Sequence, residues 1–352
     1  MVGPAGSGTT LMRLILDSHE HIAIAQETGF ARALLANEWV PFWQFGGEWY
    51  DRVGLSRDDL EKRLADFYGG IFADFAAQRG ASRWGDKTPF HLWHLELLTR
   101  VFPDAVVVAT VRHPGAVAHS TRRRMGHAWK TSVRYWLRDT TELLIQGAAL
   151  GDRFALCRYE DLVNRPEPLL RELVGWLGEP WSDRLLVFHE VHRGRGTEVE
   201  VEGATRSDRP LDPSRADAWT ATMDEDRWRH LRRGRVGKLS RFLGYAPRKP
   251  LPKRGWGRAA DGLLLDGTGL RELMSRRRGL DWDRRPSPTF VNRPLTVAEL
   301  RRLKTRSTGQ PGRSAALARV EERAGDLGRR VLRRLPPDAR ARVRSWAHRT
   351  RR

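Results

Sequence analysis

The sequence predicts an α/β fold in which a parallel sheet is flanked by helices, with a basic, mostly helical C-terminal extension. Ala105 to Val111 is an unbroken apolar run rich in valine, the pattern of a strand buried on both faces of a parallel sheet. Strand-like runs alternate with helical stretches, as in β-α-β units joined by right-handed crossovers. Near the start, the glycine-rich turn Gly3-Pro4-Ala5-Gly6-Ser7-Gly8-Thr9-Thr10 leads straight into an apolar helical run. Such a turn between strand and helix makes the sheet P-loop-like.

In chain order, Leu11, Met12, Leu14, Ile15 and Leu16 form the first helix, ending near Asp17-Ser18-His19. A phosphate loop needs a strand before it. Met1 and Val2 are too few for the ~5 residues of a typical strand, so the N-terminal strand is expected to be truncated here. Ile22 to Ala25 reads as a short strand. Phe30 to Arg83 reads as mostly helical, with an aromatic-rich connection containing Trp39, Phe42, Trp43, Phe45, Trp49 and Tyr50. A helix carrying Leu92, Leu95, Leu97 and Leu98 follows His91, and Pro103-Asp104 turns the chain into the valine-rich strand. From Val117 the chain is helical. Phe154 to Arg158 is a further strand, and Pro168 to Leu177 is an amphipathic helix closed by Gly178 and Pro180.

After Tyr245 the composition changes. Pro, Arg and Gly dominate residues 247 to 254, which divides the chain into a domain over 1–246 and an arginine-rich extension over 247–352. Within the extension, Leu317, Val320, Ala324, Leu327, Val331 and Leu335 recur every three or four residues, the mark of a basic amphipathic helix stopped by Pro336-Pro337. That helix suits docking or self-association, or contact with an anionic membrane surface.

The 352 residues carry a formal net charge of +20, mostly from arginine. The surplus points to anionic partners. Because it gathers in the tail and not among stacking aromatics, specific nucleic-acid binding is not expected. The single cysteine, Cys157, excludes an intrachain disulfide and a cysteine metal cluster, and its apolar surroundings make it a core residue. The histidines at 19, 21, 91, 94, 113 and 119 make no metal pattern, so no metal is expected. With no apolar run of membrane-spanning length and no signal peptide, the expected location is cytoplasmic or peripheral at the membrane, subject to any segment upstream.

In the loop, glycines let several backbone N–H groups converge on one anion, and the following helix adds its positive end. Gly6, Ser7, Gly8, Thr9 and Thr10 are the candidate anion-binding residues. Thr9 stands where a nucleoside triphosphatase needs lysine, which suits a shorter anion. A glycine-rich helix cap is the plainer alternative. Arg112 follows a buried strand, so it emerges at the sheet edge where ligands bind, and its guanidinium can grip a phosphate with two parallel bonds. Ser120 lies eight residues further on.

Gly6 to Arg13, Leu16 to His19 and Gln26-Glu27-Thr28 resemble the opening of the PAPS-dependent sulfotransferases (PAPS is 3'-phosphoadenosine-5'-phosphosulfate), nearest to their tyrosylprotein and bacterial branches. Gly85-Asp86-Lys87-Thr88-Pro89 resembles the family's lysine loop, Val111-Arg112-His113-Pro114 through Ser120 its 3'-phosphate site, and Arg158 to Val163 the segment before its C-terminal helices. The resemblance spans about residues 1 to 246. It implies transfer of a sulfuryl group from PAPS, as co-substrate and without a metal, to a hydroxyl or amine acceptor on a carbohydrate, lipid, metabolite or protein.

On that resemblance Glu27 is the candidate base and Lys87 the cation at the leaving group, with Asp86 as the lysine's partner. His113 ranks second as base. Arg112, Ser120, Tyr159 and Arg209 complete the nucleotide site, Arg209 through Arg206 to Pro210 and the later Trp219, and the aromatic connection lines an acceptor cleft or is ordinary core. One departure is that the family commonly has arginine directly before Ser-Gly-Thr-Thr, where this chain has Gly6. That weighs against tyrosine sulfation unless another cation, such as Arg13, substitutes. The competing readings are a P-loop kinase-like nucleotide transferase and a nonenzymatic protein that binds nucleic acid or other anions through its charge.

Overall fold

The structure is a computed structural model that describes residues 1–31, 34, 52–195, 208–245, 256, 262–276, 279–283, 285 and 286. All of them belong to one compact unit, Met1–Thr289. The aromatic connection at 39–50, Arg206, the proline-rich stretch 247–254 and the amphipathic segment 317–335 lie outside the described residues.

Helix α1 (Thr9–Leu16) follows the glycine-rich loop, strand β1 (Ile22–Gln26) follows α1, and α2 spans Arg57–Gln78. Ser56 and Asp59 close a capping box at the start of α2, each satisfying the other's backbone N–H. Strand β2 (Arg83–Lys87) comes next, then a 3₁₀ turn (Pro89–Trp93), α3 (Leu95–Val101), β3 (Val107–Val111), α4 (Pro114–Met125) and α5 (Trp129–Leu150). Strand β4 (Phe154–Arg158) leads into α6 (Tyr159–Asn164), α7 (Pro166–Trp176) and α8 (Phe188–Arg195). Two 3₁₀ turns (Pro213–Ala216 and Ala218–Thr222), α9 (Glu225–Arg232), α10 (Gly234–Phe242), β5 (Leu265–Asp266) and α11 (Gly267–Arg276) complete the described chain.

β1 and β2 pair in parallel, as do β3 and β4. Val2 forms one parallel bridge to Ala109, with its N–H 3.0 Å from the Val108 carbonyl and its carbonyl 3.1 Å from the Thr110 N–H. Even this stub puts a strand-like residue ahead of the loop. The sheet is not wholly parallel, because β5 pairs antiparallel with β4. The packed unit therefore continues past the change of composition at 246: β5 lies on the sheet, and the Arg271 guanidinium in the middle of α11 donates to the Ala148 carbonyl of α5.

Every residue of β3 and β4 is buried, and the two faces of the strands feed different cores. Val107, Ala109 and Val111 with Phe154 and Leu156 pack against α4, α5, α10 and α11. Val108 with Ala155 and Cys157 packs against α1 and α7. This two-residue alternation with apolar groups on both faces is the pattern of a strand sandwiched between helix layers. Cys157 sits there fully buried, and burial pushes its thiol pKa up, as suits a core residue.

The buried Asp17 at the end of α1 ties several elements together. Its carboxylate accepts from the Ile24 N–H of β1 at 2.7 Å, from Arg79 after α2 at 2.8 Å and from Arg195 of α8 at 3.0 Å. Removing one member of a buried charge cluster strands the others. Asp17→Ala is expected to cost about 3 kcal/mol, read from urea unfolding; a loss under about 1 kcal/mol, as for an exposed ion pair, would contradict the clamp.

Candidate active site

Strand register decides which side chains meet at the sheet edge. Val111 pairs with Arg158, so Arg112 and Tyr159 follow side by side, and the Arg112 guanidinium lies over the Tyr159 ring, 3.9 Å from its centroid. Gln26 pairs with Lys87, and Glu27, one residue on, forms an ion pair with the Lys87 ammonium.

The glycine-rich loop lies between these two pairs and touches both. Ser7 Oγ and Thr110 Oγ1 are 3.0 Å apart, and Lys87 Nζ donates to Thr10 Oγ1 at 3.4 Å. Gly6 and Gly8 have φ of +87° and +100°. A Cβ on Gly6 would stand 3.2 Å from Ser120 Oγ, and one on Gly8 would stand 2.4 Å from Tyr159 Cδ2. Both positions need glycine for the left-handed backbone and for close approach. Gly8 caps α1 without any side-chain hydrogen bond, so the first-turn amides are turned toward the loop with no side chain occupying them.

The structure thus brings Gly6, Ser7, Gly8, Thr9, Thr10, Glu27, Lys87, Arg112, Ser120 and Tyr159 to one edge. Lys87 lies against Thr10 on one side of the loop, while Ser120 lies against Gly6 and Arg112 sits over Tyr159, which lies against Gly8. Arg112 Nε is buried and has no hydrogen-bond partner among the described residues. A second nitrogen of the same group donates to the Arg215 carbonyl. These features fit a ligand with two separated anionic groups.

The charges at the centre are unequal in exposure. The Lys87 side chain is 2% exposed and that of Glu27 53%. Burial lowers the Lys87 pKa, the Glu27 carboxylate opposes that fall, and the charge of Arg13 adds to it. Arg13 is itself buried in α1. The carboxylate is therefore open to solvent, while the ammonium it pairs with is enclosed.

Several expectations change. Asp86 is not the partner of Lys87. Adjacent strand residues point to opposite faces, and the Asp86 carboxylate takes the Thr28 hydroxyl at 2.7 Å and His91 Nδ1 at 3.1 Å. Although burial opposes its ionisation, these bonds hold its pKa at about 2. His113 does not face the site: it is buried, its ring is stacked on Trp219 with centroids 4.4 Å apart, and its Nδ1 accepts from the Gly115 N–H. Burial and the neighbouring Arg112 charge lower its pKa to about 3, which makes it a poor base in this position. Arg209 is exposed and makes no hydrogen bond or ion pair to the loop or to Arg112 among the described residues; from the late segment it is the Arg215 carbonyl that meets Arg112.

His19, His21 and Glu179 bring potential metal-ligand atoms within 4.8 Å of one another. Each is already engaged: His19 Nδ1 accepts the His21 N–H at 3.0 Å, and Glu179 bonds both His21 and Arg83. The buried partners of Arg112 were not legible in advance. Trp136 Nε1 donates to the Arg112 carbonyl at 2.9 Å, and the His113 N–H donates to Glu160 Oε1 at 2.9 Å. Glu160 lies within the Arg158–Val163 segment that the sequence singles out, but nothing in the sequence marks its contacts.

The depressed His113 pKa makes a pH prediction. The unfolded chain takes up this proton near its ordinary value of 6.5 while the folded chain resists down to about 3. Stability is therefore present above about 6.5 and lost progressively as pH falls through that window. Thermal melts should show this loss, and His113→Asn should flatten it; an unchanged slope would contradict the buried neutral ring.

The chain is similar to known proteins of one family. Residues 1–183 match the model of the family described as "Sulfotransferase family". The chain is 28% identical over 280 residues to Protein-tyrosine sulfotransferase 1 of Danio rerio, covering 76% of each chain. It is 26% identical over 269 residues to Protein-tyrosine sulfotransferase A of Caenorhabditis elegans, covering 72% of this chain and 68% of that one. Among solved structures, the Sulfotransferase Domain from the Curacin Biosynthetic Pathway shares the fold with a TM-score of 0.50 at 20% identity, covering 70% of this chain and 96% of that one.

Proposed function

The chain belongs to the sulfotransferase family, and on that premise we propose that it transfers a sulfuryl group from PAPS to a hydroxyl acceptor, with Glu27 as base and Lys87 at the leaving group. The observation that carries this reading is the Glu27–Lys87 ion pair held against Thr10 of the loop, with Ser120 and Tyr159, under Arg112, against the loop's glycines.

The donor's 5'-phosphosulfate fits the uncapped α1 amides with Ser7, Thr9 and Thr10, and its 3'-phosphate fits Arg112 and Ser120. Bound there, PAPS supplies a sulfuryl group already joined to a phosphate leaving group. Glu27 takes the proton of the acceptor hydroxyl as the new S–O bond forms. Once protonated it no longer neutralises Lys87, and the buried ammonium is then free to meet the charge developing on the leaving phosphate oxygen. One ion pair thereby couples base and acid. Metal is not required by this scheme, which distinguishes it from a kinase-like transferase.

The names of the relatives make a tyrosyl hydroxyl the first acceptor class to assay. The glycine at position 6 is explained sterically, since any side chain there would press on Ser120. Arg13, the cation the sequence offers in place of the missing arginine, is buried in α1 and its charge acts on Lys87.

Calorimetry tests the donor site. Adenosine 3',5'-bisphosphate should bind the wild type and ATP much more weakly, and Arg112→Ala should weaken the bisphosphate by about 10- to 100-fold, the worth of a lost charge-assisted contact. Equal affinity for ATP, or indifference to the substitution, would overturn the assignment. Glu27→Gln should retain bisphosphate binding and lose about 10²- to 10⁴-fold in turnover with a tyrosyl peptide or another hydroxyl acceptor that the wild type uses; retained turnover would remove Glu27 as base.

A further inference from the structure

We propose that Glu160 is a positioning residue for the nucleotide site: its carboxylate bridges the amide of His113 and the hydroxyl of Tyr245, and so fixes the preceding residue, Arg112, for the 3'-phosphate. The proposal rests on the donor reading above.

Glu160 is the second residue of α6, one after Tyr159, and is 1% exposed. Its Oε1 accepts the His113 N–H at 2.9 Å and its Oε2 accepts the Tyr245 O–H at 2.8 Å. Both oxygens act as acceptors toward donors, which is the bonding pattern of a carboxylate. Burial works against that charge and raises the Glu160 pKa, while the His113 amide, the nearby Arg112 charge and the Tyr245 hydroxyl work for it.

Tyr245 also closes on the ring of His113, together with Trp219. Trp219 stacks on one side, and Tyr245 meets it edge-on with centroids 5.1 Å apart. His113 Nδ1 takes the Gly115 N–H, and a Cβ on Gly115 would collide with Trp219 at 2.2 Å. On the other side of the peptide, Trp136 Nε1 holds the Arg112 carbonyl. The backbone around Arg112 is thus fixed at its carbonyl, at the following amide and at the following ring. Only side-chain torsions remain, and the Tyr159 ring and the Arg215 carbonyl restrict those.

A buried carboxylate is a costly way to hold a fold together, since apolar replacements of similar volume are often no less stable. Here its two bonds converge on the residue next to the anion-binding arginine. The placement of α6 links the two: the strand that delivers Tyr159 beneath the guanidinium also delivers Glu160 behind it. Second-layer groups of this kind set how accurately a binding side chain is aimed.

The test is a double-mutant cycle read by calorimetry with adenosine 3',5'-bisphosphate. Glu160→Gln puts an amide nitrogen against either the His113 N–H or the Tyr245 O–H. It should weaken binding about tenfold in the wild-type background. In an Arg112→Lys background, where the aimed guanidinium is gone, the same change should weaken binding by less than about twofold. A purely structural role predicts the full tenfold in both backgrounds, and that result, or unchanged affinity of Glu160→Gln, would overturn the proposal. If Glu160→Gln does not fold, Tyr245→Phe keeps the carboxylate and removes one donor; it should weaken binding about threefold, with the effect again lost in the Arg112→Lys background, and persistence there would overturn the proposal. A wild type that fails to bind the bisphosphate at all would instead remove the donor reading, and this proposal with it.

Discussion

Gln26 pairs with Lys87, and Val111 with Arg158, in two parallel ladders whose C-terminal ends lie beside the glycine-rich loop. Parallel pairing forces successive strands to finish at the same edge. Residues that are far apart in sequence, Glu27 and Lys87 in one pair and Arg112 and Tyr159 in the other, become neighbours for that reason alone. The loop joins the two pairs, through Thr10 to Lys87, through Ser7 to Thr110, and through the bare faces of Gly6 and Gly8 to Ser120 and Tyr159. A register shift of one residue in either ladder would turn half of these groups into the core.

The charges are arranged by burial as much as by distance. Lys87 is enclosed, and the Glu27 carboxylate offsets part of the fall that burial imposes on its pKa, while Glu27 stands in the open. Around this centre, buried ion pairs serve the frame: Asp17 joins α1, α2, α8 and β1, and Arg158 bonds Asp161 at 2.6 Å at the end of β4. Neither contact needs the large net charge of the chain. Sulfuryl transfer asks for a few fixed cations at the sheet edge, and those come from strand ends and α1.

Much of the fold was legible because its central strands are apolar on both faces. The Phe154–Arg158 strand has the bounds read from the sequence, and the valine-rich run overshoots β3 only at its first two residues. Strand β2 was missed. Arg-Trp-Gly-Asp-Lys carries neither alternation nor an apolar run, and it is held extended by pairing with β1 and by Trp84 stacking on Phe72 of α2. The antiparallel strand β5 is two residues long, too short for any pattern.

In the site, the loop, Glu27 and Arg112 were placed at the sheet edge by motif and strand end together, whereas Lys87 rested on its motif alone. The partner assigned to Lys87 was wrong for a reason that strand geometry supplies, since Asp86 faces away. His113, beside Arg112 in sequence, proves to be buried under Trp219. Tyr245 reaches Glu160 across 85 residues of chain, and no local signal announces such a contact.

A crystal structure of the protein with adenosine 3',5'-bisphosphate tests the shared-edge site most directly. The 5'-phosphate should lie within hydrogen-bond distance of the first-turn amides of α1, and the 3'-phosphate should lie on Arg112 and Ser120, with the Glu27–Lys87 pair beside the first. A nucleotide bound with its two phosphates anywhere other than these two grips would contradict the account.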